Sequence, residues 1–130
     1  MRSIRELFDL TGSVALVTGG GRGLGEQIAR GLAQAGAAIA VGSRKREACE
    51  GVARELAEAY GVQAIALRMD VSSEDDVKAA VEQVEAELGP IDLLVNNSGT
   101  SWGTPAADMP LEAWRKVMEV NVTGAFLCAR

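Results

Sequence analysis

The sequence predicts an α/β chain built around a parallel sheet covered on both faces. Three observations lead to that class. Short apolar runs recur along the chain, and stretches with apolar residues at three- and four-residue spacing separate them. The runs are also apolar throughout, whereas a strand with one wet face would alternate.

The elements follow in order. Val14-Ala15-Leu16-Val17 reads as a compact buried strand followed by glycine-rich sequence, and a helix from about Leu24 to Ala35 turns Ile28 and Leu32 inward. Ala37 to Val41 is the second strand, ending at Gly42-Ser43; the next helix sets Cys49, Val52, Ala53, Leu56 and Tyr60 on one stripe. Val62 to Met69 is the third strand. Ser72 with Asp75, or Ser73 with Asp76, fits a helix start in which a hydroxyl and an acid satisfy free amides. That helix carries Val77, Ala80, Val81, Val84 and Leu88 on one side and stops at Gly89-Pro90. Ile91 to Val95 is the fourth strand. A last helix begins near Pro110, suited to a first turn because it has no amide hydrogen. Along that helix Trp114, Met118, Asn121 and Ala125 form the expected inward stripe. Right-handed crossovers wind such an order into a Rossmann-type doubly wound parallel sheet, here truncated after the fourth strand and the following helix.

Composition narrows the function. A chain of 130 residues is at most one domain, and 48% hydrophobic with 24% charged residues is a globular balance. The net charge is −5 and no basic run exceeds Arg44-Lys45-Arg46, so nucleic acid is not an expected partner. With no histidine, and with Cys49 and Cys128 far apart, no metal site is expected. The N-terminal residues Met1 to Leu10 alternate charged and apolar side chains, unlike the apolar core of a signal peptide. No apolar run approaches a membrane span, and the expected setting is cytoplasmic.

The most informative segment is Thr18-Gly19-Gly20-Gly21-Arg22-Gly23-Leu24-Gly25, between the first strand and its helix. Glycines are expected where a side chain would keep a pyrophosphate from the backbone and the helix N-terminus. The other reading is a glycine-rich turn with no ligand. A P-loop is excluded, because no Lys-Ser or Lys-Thr follows the glycines.

The spacing is TGxxxGxG, through Gly19, Gly23 and Gly25. Asp70-Val71 follows the third strand, Asn96-Asn97-Ser98-Gly99 ends the fourth, and Asn121-Val122-Thr123-Gly124 lies in the last helix. Together these segments resemble the short-chain dehydrogenase/reductase family, in its order and over nearly the whole chain. The resemblance implies an oxidoreductase that moves hydride between a nicotinamide cofactor and a small carbonyl or alcohol. It implies that residues 1–130 are the N-terminal part of one dinucleotide-binding domain. Cofactor contacts are expected from Gly19, Gly21, Arg22, Gly23, Leu24, Gly25, Arg44, Asp70, Val71, Asn97 and Gly99. Ser98 departs from the family, which usually has alanine there; binding is expected to survive so small a change.

NADP(H) is the expected cofactor, with NAD(H) possible. NAD-binding sites of this fold place an acid at the end of the second strand, but Gly42-Ser43-Arg44-Lys45-Arg46 has none before Glu47. Three cations also crowd a helix start that is already the positive end of a dipole, and a 2′-phosphate would relieve the conflict. Arg44 can grip it with a planar fork, and Arg22 resembles a second basic residue common in NADP-preferring members. The alternative is a solvated basic turn offset by Glu47. Asp70, on its own, reads as a strand-end residue near a helix cap; the resemblance implies instead an acceptor for the adenine amino group, with Val71 beside the ring.

Asn121 is the one catalytic residue of the family pattern in this chain. From pattern alone it reads equally as an amide bonded to nearby backbone; the resemblance gives it a water that relays protons to a catalytic lysine. The family's tyrosine and lysine form a YxxxK motif, yet the only tyrosine is Tyr60, followed by Gly61-Val62-Gln63-Ala64. The serine-bearing strand is absent as well. Ile91 to Val95 is too apolar for an open sheet edge, so further chain is expected to cover it. The parent protein is therefore expected to be an enzyme and 1–130 alone to be inactive.

Gly99 to Gly103 and Leu111 to Trp114 resemble 3-oxoacyl-thioester reductases and gluconate 5-dehydrogenase-like members. A 3-oxoacyl or keto-sugar acid substrate is implied, with Trp102 either lining the pocket or packed on the surface. A homo-oligomer, tetramer or dimer, is implied for the full-length form. The alternative from another class is a non-catalytic nucleotide-binding module or remnant. A methyltransferase would leave the Asn-Asn and Asn-Val-Thr-Gly segments unexplained.

Overall fold

The computed structural model describes residues 1–130. Four parallel strands form one sheet: β1 (Val14–Thr18), β2 (Ala38–Ser43), β3 (Ala64–Arg68) and β4 (Leu93–Val95). Their spatial order is β3-β2-β1-β4, so the chain walks outward from β1 and then jumps back to its other side. That reversal leaves a crevice between β1 and β4 at the carboxyl ends of the strands, where open α/β sheets bind ligands.

A short helix, α1 (Ile4–Leu7), precedes the sheet. It was not expected from the alternating N-terminus; Ser3 and Glu6 close a reciprocal capping box over it. α2 (Gly23–Gln34) and α3 (Arg46–Tyr60) lie on one face of the sheet, and α4 (Glu74–Glu87) on the other. A 3₁₀ turn (Ala106–Asp108) leads to α5 (Leu111–Met118), which runs through a π-helical stretch (Glu119–Thr123) into α6 (Gly124–Ala129). None of the helices is long and apolar enough to cross a membrane.

The period-two alternation of a strand sorts β1 between two cores. Ala15 and Val17 join Ile39, Val41, Ala29, Ala33, Cys49 and Leu56 on the α2–α3 face. Val14 and Leu16 join Ala40, Leu67, Met69, Val77 and Val84 on the α4 face. Every residue of β1 is buried, which is why the strand carries no polar side chain until Thr18. Burying a leucine such as Leu16 stabilises the fold by roughly 1.5–3 kcal/mol.

Several expectations are corrected. The buried face of α2 is Gly25, Ala29 and Ala33, because small residues let this helix lie close to the sheet; Ile28 and Leu32 sit at its half-buried flank. The third and fourth strands are shorter than their apolar runs, although single backbone hydrogen bonds, from Met69 to Ser43 and from Asp92 to Val14, reach just beyond them. Ser73, rather than Ser72, caps α4 by accepting from the Asp76 amide at 3.2 Å. Pro110 is the cap residue before α5 and not its first turn.

The last helix is rotated by one residue from the expected stripe. Ala113 and Gly124 are buried, with Val117, Val120 and Leu127 half-buried between and beyond them, while Trp114, Met118 and Asn121 face outward. Position 124 explains the rotation. A Cβ there would come within 2.7 Å of Val71, so the helix packs through its glycine and turns its large side chains away.

Candidate functional site

The carboxyl ends of the strands gather the segments singled out in the sequence. In register, Thr18 lies beside Gly42, Gly42 beside Leu67, and Ser43 beside Arg68; Val17 lies beside Val95. The glycine turn, the basic turn after β2, the Asp70 segment and the Asn97 loop therefore share one end of the sheet.

Most of the glycines are required by the protein itself. A Cβ on Gly25 would meet the Gly19 carbonyl oxygen at 2.3 Å, one on Gly20 would meet Val41 at 2.7 Å, and one on Gly21 would meet Ala48 at 3.0 Å. Gly19 has φ +67° and no room for a side chain, with the Asn97 amide nitrogen 2.8 Å from the would-be Cβ. Gly23 differs. Its φ of +57° asks for glycine through the backbone alone, and nothing lies within 4 Å of its would-be Cβ, so the space beside it is open.

That helix start has no side-chain cap. Arg22 precedes it in extended backbone without a capping hydrogen bond, leaving the first amides of α2 at Gly23, Leu24 and Gly25 available to an anion. Leu24 and Arg22 are exposed beside them.

Asn97 braces the turn from behind. Its Nδ2 donates to the carbonyls of Thr18 (3.0 Å) and Gly19 (3.2 Å), so this amide nitrogen is spent on holding the turn. Thr18, whose hydroxyl had no assigned role, is the matching knot. Its Oγ1 accepts from the amides of Asn97 (3.1 Å) and Ser98 (3.0 Å) and donates to the Val95 carbonyl (3.3 Å). A threonine ending an otherwise apolar strand was the available signal. The amides of Gly19 (2.7 Å) and Gly20 (3.4 Å) both donate to the Gly42 carbonyl, tying the glycine turn to the end of β2.

At the other end of the crevice, Asp70 Oδ1 accepts from the Ser72 hydroxyl (2.6 Å) and amide (3.0 Å). The Ser72 hydroxyl, its amide, and the positive charges of Arg44 and Arg68 together hold this carboxyl below its usual range against the effect of burial. Arg68 is neutralised by Asp76 at 2.7 Å and Arg46 by Glu50 at 3.1 Å. Arg44, Lys45 and Arg22 make no ion pair. The three cations of the basic turn are therefore reduced to two with free charge.

Asn121 lies in the π-helical stretch. Its Oδ1 accepts from the Thr100 amide (2.8 Å) and its Nδ2 donates to the Thr100 carbonyl (2.9 Å), a two-pronged grip on the loop after β4. Gly99 fits beneath it, its would-be Cβ 3.4 Å from the Asn121 oxygen. Val71 touches Gly124 on the same helix. Trp102 is exposed on the loop beyond. Tyr60 stands apart: it closes the far end of α3, about 20 Å along the helix from the crevice, and takes a hydrogen bond from Gln34 at 3.1 Å.

The family model for short chain dehydrogenases matches residues 13–130. The chain belongs to the short-chain dehydrogenase family. It is 44% identical over 121 residues, 93% of its own length, to the rhamnolipid-biosynthesis 3-oxoacyl-[acyl-carrier-protein] reductase of Pseudomonas aeruginosa, and covers 46% of that protein. A short-chain type dehydrogenase/reductase from Mycobacterium marinum superposes with a TM-score of 0.93 at 42% identity, over 98% of this chain and 50% of that one. The L-sorbose reductase of Gluconobacter frateurii, solved with NADPH and L-sorbose, superposes with a TM-score of 0.89 at 35% identity, over 95% of this chain and 47% of its own. The chain thus spans about half the length of the family members it matches.

Proposed function

We propose that this chain binds a nicotinamide dinucleotide, NADP(H) in preference to NAD(H), as the cofactor-binding half of an oxidoreductase acting on a small carbonyl or alcohol. The observation that carries the proposal is the pairing of the uncapped start of α2, opened by Gly23, with an unpaired Arg44 at the end of β2. One end suits a pyrophosphate and the other a 2′-phosphate. The amides from Gly23 to Gly25 bind the first, Gly19 and Gly21 give the turn its shape, and Arg44 and Arg22 bind the second. Asp70 and Val71 receive the adenine, while Asn97 and Gly99 hold the loop that borders the adenosine ribose. When bound, the nicotinamide gives or takes the hydride. Asn121 keeps that loop at its distance from the helix and is the chain's contribution to the proton relay.

The relatives support a 3-oxoacyl or keto-sugar acid substrate class, and the exposed row Leu111, Trp114, Met118, Val122 and Phe126 supports a homo-oligomer. The proposed setting is cytoplasmic. A second reading, nucleotide binding without turnover by residues 1–130, is favoured by Tyr60, which faces Gln34 instead of the crevice.

Fluorescence titration of purified 1–130 with NADPH and with NADH tests the first claim. NADPH is expected to bind at least about tenfold more tightly, the worth of one charge-assisted contact. Arg44→Asp should abolish the preference; equal affinities in the wild-type chain would overturn it. NADPH-dependent carbonyl reduction by this chain alone would overturn the expectation of inactivity.

A further inference from the structure

The two turns that frame the crevice are joined by side chains that the reading above does not use. Cys49, in the second turn of α3, is completely buried. Its Sγ lies 3.2 Å from a Cβ built on Gly21, so the thiol sits directly beneath the glycine turn. From there it donates to Ser43 Oγ at 3.3 Å, and Ser43 Oγ donates to the Lys45 carbonyl at 2.7 Å. Arg44 is the residue spanned by that second bond.

We propose that Ser43 and Cys49 are positioning residues for cofactor selectivity, locking the turn of residues 43–45 in the shape that presents Arg44 to a 2′-phosphate. The inference rests on the NADP(H) reading and extends it to two residues that need not touch the cofactor.

Three features support it. The start of α3 has no side-chain cap of its own, since Lys45 makes no capping bond, and Ser43 supplies the only side-chain hydrogen bond that fixes this turn. A hydroxyl has one proton to give, and in this structure that of Ser43 goes to the Lys45 carbonyl, where it shapes the turn that carries Arg44. The thiol fixes the direction of the relay. Burial pushes the Cys49 pKa up, more than the Ser43 contact lowers it, so Cys49 remains an S–H donor and leaves the Ser43 hydrogen free to point at Lys45. An arginine on a freely rotating turn would meet the phosphate only part of the time, and each immobilised long side chain weakens binding through lost entropy. The relay fixes the backbone from which the Arg44 side chain extends, so the turn's share of that ordering is met before the ligand arrives.

The test uses purified 1–130 with adenosine 2′,5′-bisphosphate and adenosine 5′-monophosphate, probes that differ only in the 2′-phosphate. The ratio of their dissociation constants, measured calorimetrically on one sample, is insensitive to the fraction of protein folded. Ser43→Ala and Cys49→Ala should each lower the preference for the bisphosphate by about fivefold, the worth of one hydrogen bond. Cys49→Ser keeps a donor at the same place and should restore most of what Cys49→Ala loses. Arg44→Ala should lower the preference further than either. If Arg44→Ala removes the preference and the Ser43 and Cys49 variants keep it, the relay is overturned and the NADP(H) reading stands. If Arg44→Ala leaves the ratio unchanged, or if the wild-type chain binds neither probe, both are overturned.

Discussion

β1 and β4 are neighbouring strands of nearly the same character, yet they hold different places in the protein. Both are aliphatic and parallel, and Leu16 of one pairs in register with Leu94 of the other. β1 has a strand on each side and a helix layer on each face, and all its residues are buried. β4 has a strand on one side only, and every residue in it is half-exposed. Within residues 1–130 the burial of these two strands follows their place in the sheet and not their residue types. The site straddles this boundary, because Thr18 ends the buried strand and Asn97 follows the exposed one.

The comparison can be broken most directly by truncating the paired leucines. Leu16→Ala is expected to cost about 3–4 kcal/mol, as in a tightly packed core, and Leu94→Ala about 1 kcal/mol. Urea unfolding of both variants measures this, and equal losses would show that β4 is as well packed as β1. A smaller effect sharpens the link between the strands. Thr18→Val removes the acceptor for two amides and should cost about 2 kcal/mol, with faster amide exchange at Asn97 and Ser98. Unchanged exchange there would mean that the loop holds itself.

The smallest effect concerns Asp70, far from the exposed edge. Its carboxyl titrates below the ordinary range in the folded chain, so the stability it contributes is present above that range and disappears as pH falls through the folded value. Asp70→Asn should therefore narrow its stability gap to the wild type as the solution becomes strongly acidic. A gap that does not change with pH would mean that the Ser72 contacts and the nearby arginines do not favour the charged carboxylate in the folded chain.

The layout of strands and helices was legible because it depends on periodicity, and β1, α3 and α4 carry that signal plainly. The rotation of the last helix was not legible. Trp114, Met118 and Asn121 repeat at helical spacing as cleanly as Ala113, Val117 and Val120, and hydrophobicity favours the wrong set. What decides is the fit of Gly124 against Val71, a contact between residues more than fifty positions apart. The glycine turn was found by its pattern, and the structure adds packing reasons that the pattern does not show. Four of its glycines answer to Val41, Ala48, Asn97 and the turn's own carbonyl, and Gly23 answers to its own left-handed backbone. Charges were legible as a cluster at residues 44–46; which of them stays free depended on Glu50, one helical turn further on.

The contact at Gly124 has one more consequence. With no side chain on that residue, the helix carrying Asn121 and the segment carrying Asp70 meet with nothing between them. At this point the spacing of the two is a direct van der Waals contact between Gly124 and Val71. A single added methyl would push them apart and, through the Asn121 grip on Thr100, tilt the loop after β4 as well. The absent side chain at 124 thus calibrates the distance between the two ends of the crevice.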